Sequence, residues 1–307
     1  MNPIDRFLNS ITMYSLVLYG LVAVSVYGII LDYTRTLSLV VFIATCYITN
    51  LIYSKLLNIP SNAESSSITA LILFLIMSPA LDTFGAAISV LTALIAISSK
   101  YLLAPLKRHI FNPAAFGVFG VFILGLSGAT WWVGSFEMLP AVLIVGLLIV
   151  RKIKRFDLLL PFLLVSFASI FYFHGIFLEA IISWPLVFFG TIMLTEPITV
   201  PPTRKLRIIY AIFVGLLFGS QFHVWRIIPT PEFVLLLGNI FSYATGFRRR
   251  LILSLQKKSE IAKDVFEFIF IPDKKISYTP GQFLEWTLFH KNHDVRGIRR
   301  YFTIASS

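Results

Sequence analysis

The sequence predicts an all-α polytopic membrane bundle of about ten transmembrane helices, followed by an incomplete antiparallel β-barrel. Three observations lead there. Hydrophobic residues make up 57% of the 307 and charged residues 13%, about half the charged share of a soluble domain. The net charge is +11, and before residue 251 nearly all the basic residues fall in alternate loops between apolar runs. After residue 250 those runs stop, and short alternating stretches with frequent charges take over. A membrane domain over 1–250 and a second domain over 251–307 follow.

A hydrocarbon core about 30 Å thick needs roughly 20 apolar residues per helix. Ten stretches approach that length: 13–31, 37–57, 68–82, 84–104, 112–126, 138–150, 156–173, 176–195, 206–220 and 231–247. The N-terminus, MNPIDRFLN, is polar, and the run behind it is too long for the core of a cleavable signal. The first helix is therefore expected to remain as a span. With the N-terminus inside, the inner segments carry Arg6, Lys55, Lys100, Lys107, Arg108, Arg151, Lys152, Lys154, Arg155, Arg204, Lys205, Arg207 and Arg248–Arg250, and the outer loops only Arg35 and Arg226. This is the positive-inside bias. It places both termini in the cytoplasm and the chain in the cell membrane, and it makes the positive charge topological rather than a nucleic-acid surface.

Three places break the helical pattern, all on the inner side. In SSSITALILFLIMSP, Ser65, Ser66 or Ser67 can cap a helix that Pro79 later disturbs. In KRHIFNPAAFG, Asn112 suits an N-cap and Pro113 the first helical position, whose N–H needs no partner. In MLTEPITVPPTRK, Pro197 and the Pro201–Pro202 pair stop a helix. Each reads as an ordinary cap or stop. Together they also suit short helices whose N-termini converge on an anionic ligand, with Lys107 and Arg108 adding to the field. A mid-bilayer charge would mark an ion path, but Asp82, Asp157 and Glu179 lie near span ends and Glu196 in the Pro-rich break, so no relay can be drawn. Cys46 is the single cysteine. It cannot make an intrachain disulfide or hold an iron–sulfur cluster alone, so redox chemistry needs another carrier.

In this order and topology, FNPAAFG, TEPITVPPT and SITALIL resemble the RnfD/NqrB family of membrane subunits over residues 10–250. The resemblance implies two inverted halves of five helices, with SITALILFLIMSPALD and FGTIMLTEPITVPPT at related places. It also implies flavin in the membrane domain, as FMN or riboflavin. One FMN of the family is joined by a phosphoester to a Thr in the outer loop after the fifth helix, in a motif close to Asp-Gly-x-Ser/Thr-x-Ala-Thr. LGLSGATWWVG puts Thr130 at that place, with Leu124 where the motif has Asp. The plain alternative is a Ser127-Gly128-Ala129 turn with Trp131 and Trp132 as interfacial anchors.

In the tail, VFEFIFI and QFLEWTL read as strands, joined by Pro280-Gly281, which suits the centre of a type II turn. With Arg300-Tyr301-Phe302-Thr303-Ile304-Ala305-Ser306 after them, they resemble the start of the FAD-binding barrel of the ferredoxin–NADP reductase family. The resemblance implies that Arg300 pairs with the flavin phosphate, that Phe302, commonly Tyr in the family, stacks on the isoalloxazine, and that Thr303 hydrogen-bonds near its N5. Such a barrel has further strands and leads into a nicotinamide-binding domain. The resemblance thus implies a partial sequence whose NAD(P)H site lies beyond Ser307.

These readings describe a membrane flavoprotein oxidoreductase. NAD(P)H would reduce FAD in the cytoplasmic barrel, and electrons would pass to a flavin or acceptor held by the bundle, with other membrane electron-transfer subunits as partners. A transmembrane haem reductase needs paired His on facing helices, and His109, His174, His223, His290 and His293 offer no such pair. A solute transporter with a redox-regulated tail fits inverted repeats and broken helices equally well, and differs in needing no flavin in its membrane part. No nucleophile–base set, phosphate loop or metal-ligand cluster stands out.

Overall fold

The structure, a computed structural model, describes residues 2–59, 61–105, 108–175, 185–220, 229–246, 251–276, 278, 283–287 and 299–303, and divides into two units, Met1–Phe247 and Arg248–Ser307. The first is a helical membrane bundle. A short α1 (Pro3–Ser10) precedes α2 (Met13–Leu31), α3 (Thr36–Leu56), α4 (Ala63–Ile76), α5 (Thr83–Leu102), α6 (Pro113–Ile123), α7 (Leu139–Ile153) and α8 (Phe156–His174). Next, α9 (Leu186–Phe188) widens at once into a π-helical turn, Phe189–Met193. α10 (Arg204–Phe218) and α11 (Pro231–Thr245) complete the unit. Four stretches, Met13–Leu31, Tyr33–Leu56, Thr83–Leu102 and Phe156–His174, are long and apolar enough to cross a membrane. The other apolar runs form shorter helices, and 176–184 lies outside the described residues.

The helix starts are set locally. Thr12, Asn62, Asp82, Asn112, Thr203 and Thr230 each accept the backbone N–H three residues on, taking up donors that lipid could not satisfy. α4 begins earlier than the serines suggest, because Asn62 Oδ1 already accepts the Ser65 amide at 3.0 Å. Its end at Ile76 precedes Pro79, as expected.

At 14 residues, α4 is about 21 Å long, too short for the hydrocarbon core. Thr69 to Ile76 are all buried. A helix that is apolar all round is buried on every side, and here α2, α3, α5 and α6 enclose it. Phe188 to Leu194 are buried too. The two segments run antiparallel: Ser65 and Thr195 line one cavity, while Ile76 and Phe189 both meet Trp131 at the far end. Outward, Tyr19, Ile30, Val40, Ile144, Leu164 and Leu216 present apolar surface of the kind that water-soluble monomers restrict. That surface suits lipid.

In the second unit, β1 (Leu253–Ala262) and β2 (Val265–Pro272) form an antiparallel hairpin across Lys263–Asp264, with Asp264 at a left-handed φ of 59°. β3 (Phe283–Thr287) pairs with β4 (Arg299–Thr303). β2 therefore pairs with β1 and not with β3, and Pro280-Gly281 lies outside the described residues. Trp286 connects the pairs, its ring 4.8 Å from Phe270 and 5.8 Å from Phe302. Among the described residues the expected barrel is present as two open strand pairs.

α5 and α6 approach closely at Gly117, where an added Cβ would sit 2.6 Å from the Thr92 carbonyl oxygen. Gly117→Val should therefore lower stability by roughly 1–3 kcal/mol, seen as an earlier thermal midpoint in detergent. Gly128→Ala, with only the Phe122 ring within 4 Å, should leave the midpoint in place. Equal midpoints for both variants would mean that the two helices do not meet there.

Candidate functional site

Lys100, Arg151 and Arg207 gather at one end of the bundle, called the basic end below. There a cavity of about 70 Å³ is lined by α2, α4, α5, α6, α7 and the segment 192–198. On one wall Lys100 Nζ donates to the Ser65 carbonyl at 3.0 Å and to its hydroxyl at 2.8 Å, with Thr69 Oγ1 at 3.4 Å. On the other, Glu196 Oε2 accepts from Asn112 Nδ2 at 2.9 Å, and Oε1 meets His109 Nε2 at 3.1 Å. Lys100 and Glu196 are within electrostatic range of each other. Asn112 also caps α6 through the Ala115 amide at 3.0 Å and gives its own N–H to Asn239 Oδ1 on α11 at 2.7 Å.

The sequence points to converging helix N-termini awaiting an anion. The structure fills the α6 terminus with the protein's own carboxylate, Glu196. Lys107 lies outside the described residues, and the cation lining the cavity is Lys100. The result is a charge-paired pocket in an apolar bundle. Its volume suits a couple of waters at about 30 Å³ each and falls well short of the roughly 300–1,000 Å³ that encloses a drug-sized ligand. In this conformation it is too small for an isoalloxazine.

The opposite end is organised by the loop between α6 and α7. Thr130 is exposed, and its N–H and that of Trp131 both donate to the Ile76 carbonyl, at 2.9 and 3.0 Å. The Thr130 hydroxyl lies 3.4 Å from the same oxygen. Trp132 Nε1 donates to the Phe74 carbonyl at 2.8 Å, and the Arg35 guanidinium stands 4.3 Å above its ring. Arg35 pairs with Asp32 at 3.0 Å. The Thr34 hydroxyl, ahead of Arg35, holds the Asp32 carboxyl below the usual range. Trp131 adopts a left-handed φ of 48°, buries its ring and donates Nε1 to Glu232 Oε2 at 3.1 Å. The two tryptophans thus anchor on α4 and α11. Leu124, in place of the motif's Asp, is exposed at the C-cap of α6. The loop is thus braced on α4 at Phe74 and Ile76, with the Arg35 guanidinium over Trp132.

On β4, Arg300 lies opposite Trp286 and Phe302 opposite Leu284. Phe302 is 52% exposed, and its ring stands nearly perpendicular to that of Trp286. Thr303 is its immediate neighbour, so the two side chains leave opposite faces of the strand. Both can reach one flavin only around the strand's end. Ile304–Ser306 lie outside the described residues.

The remaining candidates are structural. Asp82 caps α5, and Asp157 binds Arg207 at 2.6 Å. Glu179, His223, His290 and His293 lie outside the described residues. His109 sits at the basic end beside Glu196, while His174 ends α8, which starts at the basic end with Asp157 and is about 28 Å long; the two cannot share a haem. Cys46 is buried, and the described residues contain no cluster of metal-ligating side chains. Lys100 carried no sequence signal beyond its place in the inner charge count. No family model matches the chain, and no curated protein does either.

Asp and Ser are comparable N-caps, so at position 112 they differ mainly in what they set against Glu196. Asn112→Asp should be less stable than Asn112→Ser by about 1–4 kcal/mol, measured by thermal unfolding. Equal midpoints would show that Glu196 does not face the α6 cap.

Proposed function

We propose that the chain belongs to a membrane-bound, flavin-dependent electron-transfer oxidoreductase. In this reading ten spans in two inverted halves cross the cell membrane with both termini cytoplasmic. NAD(P)H-derived electrons enter through FAD at β4 and pass to FMN carried on Thr130, alongside other membrane electron-transfer subunits. The observation that carries the reading is the place of Thr130. Thr130 is exposed at one end of α4, whose residues from Thr69 to Ile76 are all buried and whose other end bounds the cavity of Lys100 and Glu196. From Ser65 to Ile76 that helix spans about 16 Å. Solute transport is less favoured, since the cavity holds little more than water.

Bound flavin would supply the redox chemistry. The chain's own residues do the rest. The Ile76 carbonyl fixes two consecutive amides of the loop, and Trp132 pins it to α4. Arg35, set over the Trp132 ring, offers a guanidinium suited to a phosphate. The buried residues of α4 exclude water behind the loop. At β4, Phe302 would stack on the isoalloxazine and Arg300 would meet the phosphate.

The test is to express the whole chain together with a flavin transferase and weigh it. We expect the mass of one FMN on the wild type and none on Thr130→Val, with unchanged thermal midpoints. A colourless wild-type protein of unmodified mass overturns the proposal.

A further inference from the structure

Glu232 stands out at the end opposite the basic one. It lies in the first turn of α11 and is 1% exposed. A carboxylate withdrawn from water is costly unless it is paired, and among the described residues Glu232 forms no ion pair. Its support is the α11 N-terminus, which favours an anion, together with the Thr230 hydroxyl and the indole N–H of Trp131 at 3.1 Å. Trp131 for its part holds a left-handed backbone, φ 48°, that a bulky residue adopts only when its surroundings enforce it. Two contacts on its ring do so: the Glu232 carboxylate and Phe189, at a centroid distance of 6.2 Å.

Resting on the reading of Thr130 as the flavin-bearing residue, we infer that Glu232 is the positioning residue of the Thr130 loop. The amides of Thr130 and Trp131 both reach the single carbonyl of Ile76, and the left-handed turn at Trp131 sets the course of the chain from there into Trp132. When the indole is released, Trp131 relaxes to negative φ. With the ring no longer held, the Trp131 and Thr130 amides leave Ile76 more often, and the Thr130 hydroxyl loses its fixed place. Glu232 touches no flavin in this account. It acts through Trp131.

Two measurements on the full chain test it: amide hydrogen exchange over residues 127–133, and FMN attachment in cells that supply a flavin transferase. Glu232→Leu and Trp131→Phe should each speed exchange roughly tenfold or more and cut FMN attachment by a similar factor. Glu232→Gln, whose amide oxygen still accepts the indole N–H, should stay near wild type in both. Exchange in Glu232→Leu equal to wild type overturns the inference whatever the flavin content. Loss in Glu232→Gln as well, with a lowered unfolding midpoint, overturns it too, because Glu232 would then serve the fold alone. A wild type that takes no FMN refutes the flavin reading, while the exchange rates still decide whether Glu232 holds the loop.

Discussion

Lipid offers a polypeptide no hydrogen bonds, and a helix too short to cross it must find partners for its ends within the protein. α4 is such a helix. Its last carbonyls have no further helical turn to bond them, and the α6–α7 loop folds in and supplies the donors: the Trp132 indole to Phe74 and the amides of Thr130 and Trp131 to Ile76. At its other end Asn62 caps the first turn and Lys100 takes up the Ser65 carbonyl.

The arrangement ties stability to chemistry. The loop that completes α4 is also the one that exposes Thr130, and Lys100, which bonds the Ser65 carbonyl in the first turn of α4, lines the cavity that Glu196 also borders. α9 and its π-turn repeat the pattern in the opposite direction, meeting Trp131 at one end and leading to Glu196 at the other. A π-turn widens the helix and often marks a functional position. Here Phe189 in that turn packs against Trp131 and Phe162, so the two short segments share the aromatic support of one loop.

What could be read in the sequence was local. Asn112-Pro113 fell at the cap and first turn of α6 because both signals act within a few residues of each other, and Pro197 and Pro201–Pro202 stopped the preceding helix for the same reason. The start of α4 was misread because Asn62, just upstream, reached the Ser65 amide. The site itself was less legible, since its contacts join distant residues: Lys100 to Ser65 across 35 positions, Asn112 to Glu196 across 84 and Trp131 to Glu232 across 101. No spacing rule encodes such pairs. β1 escaped notice because LSLQKKSEIA is exposed almost throughout and lacks the apolar alternation of a half-buried strand.

The central proposal is that Thr130 carries a flavin on an electron path through the bundle. It is tested most directly in sealed vesicles containing the flavin-loaded protein, with a membrane-impermeant reductant enclosed and a membrane-impermeant acceptor outside. The account predicts reduction of the acceptor well above that in protein-free vesicles, returning to that background in Thr130→Val. Acceptor reduction no faster than in empty vesicles would contradict it.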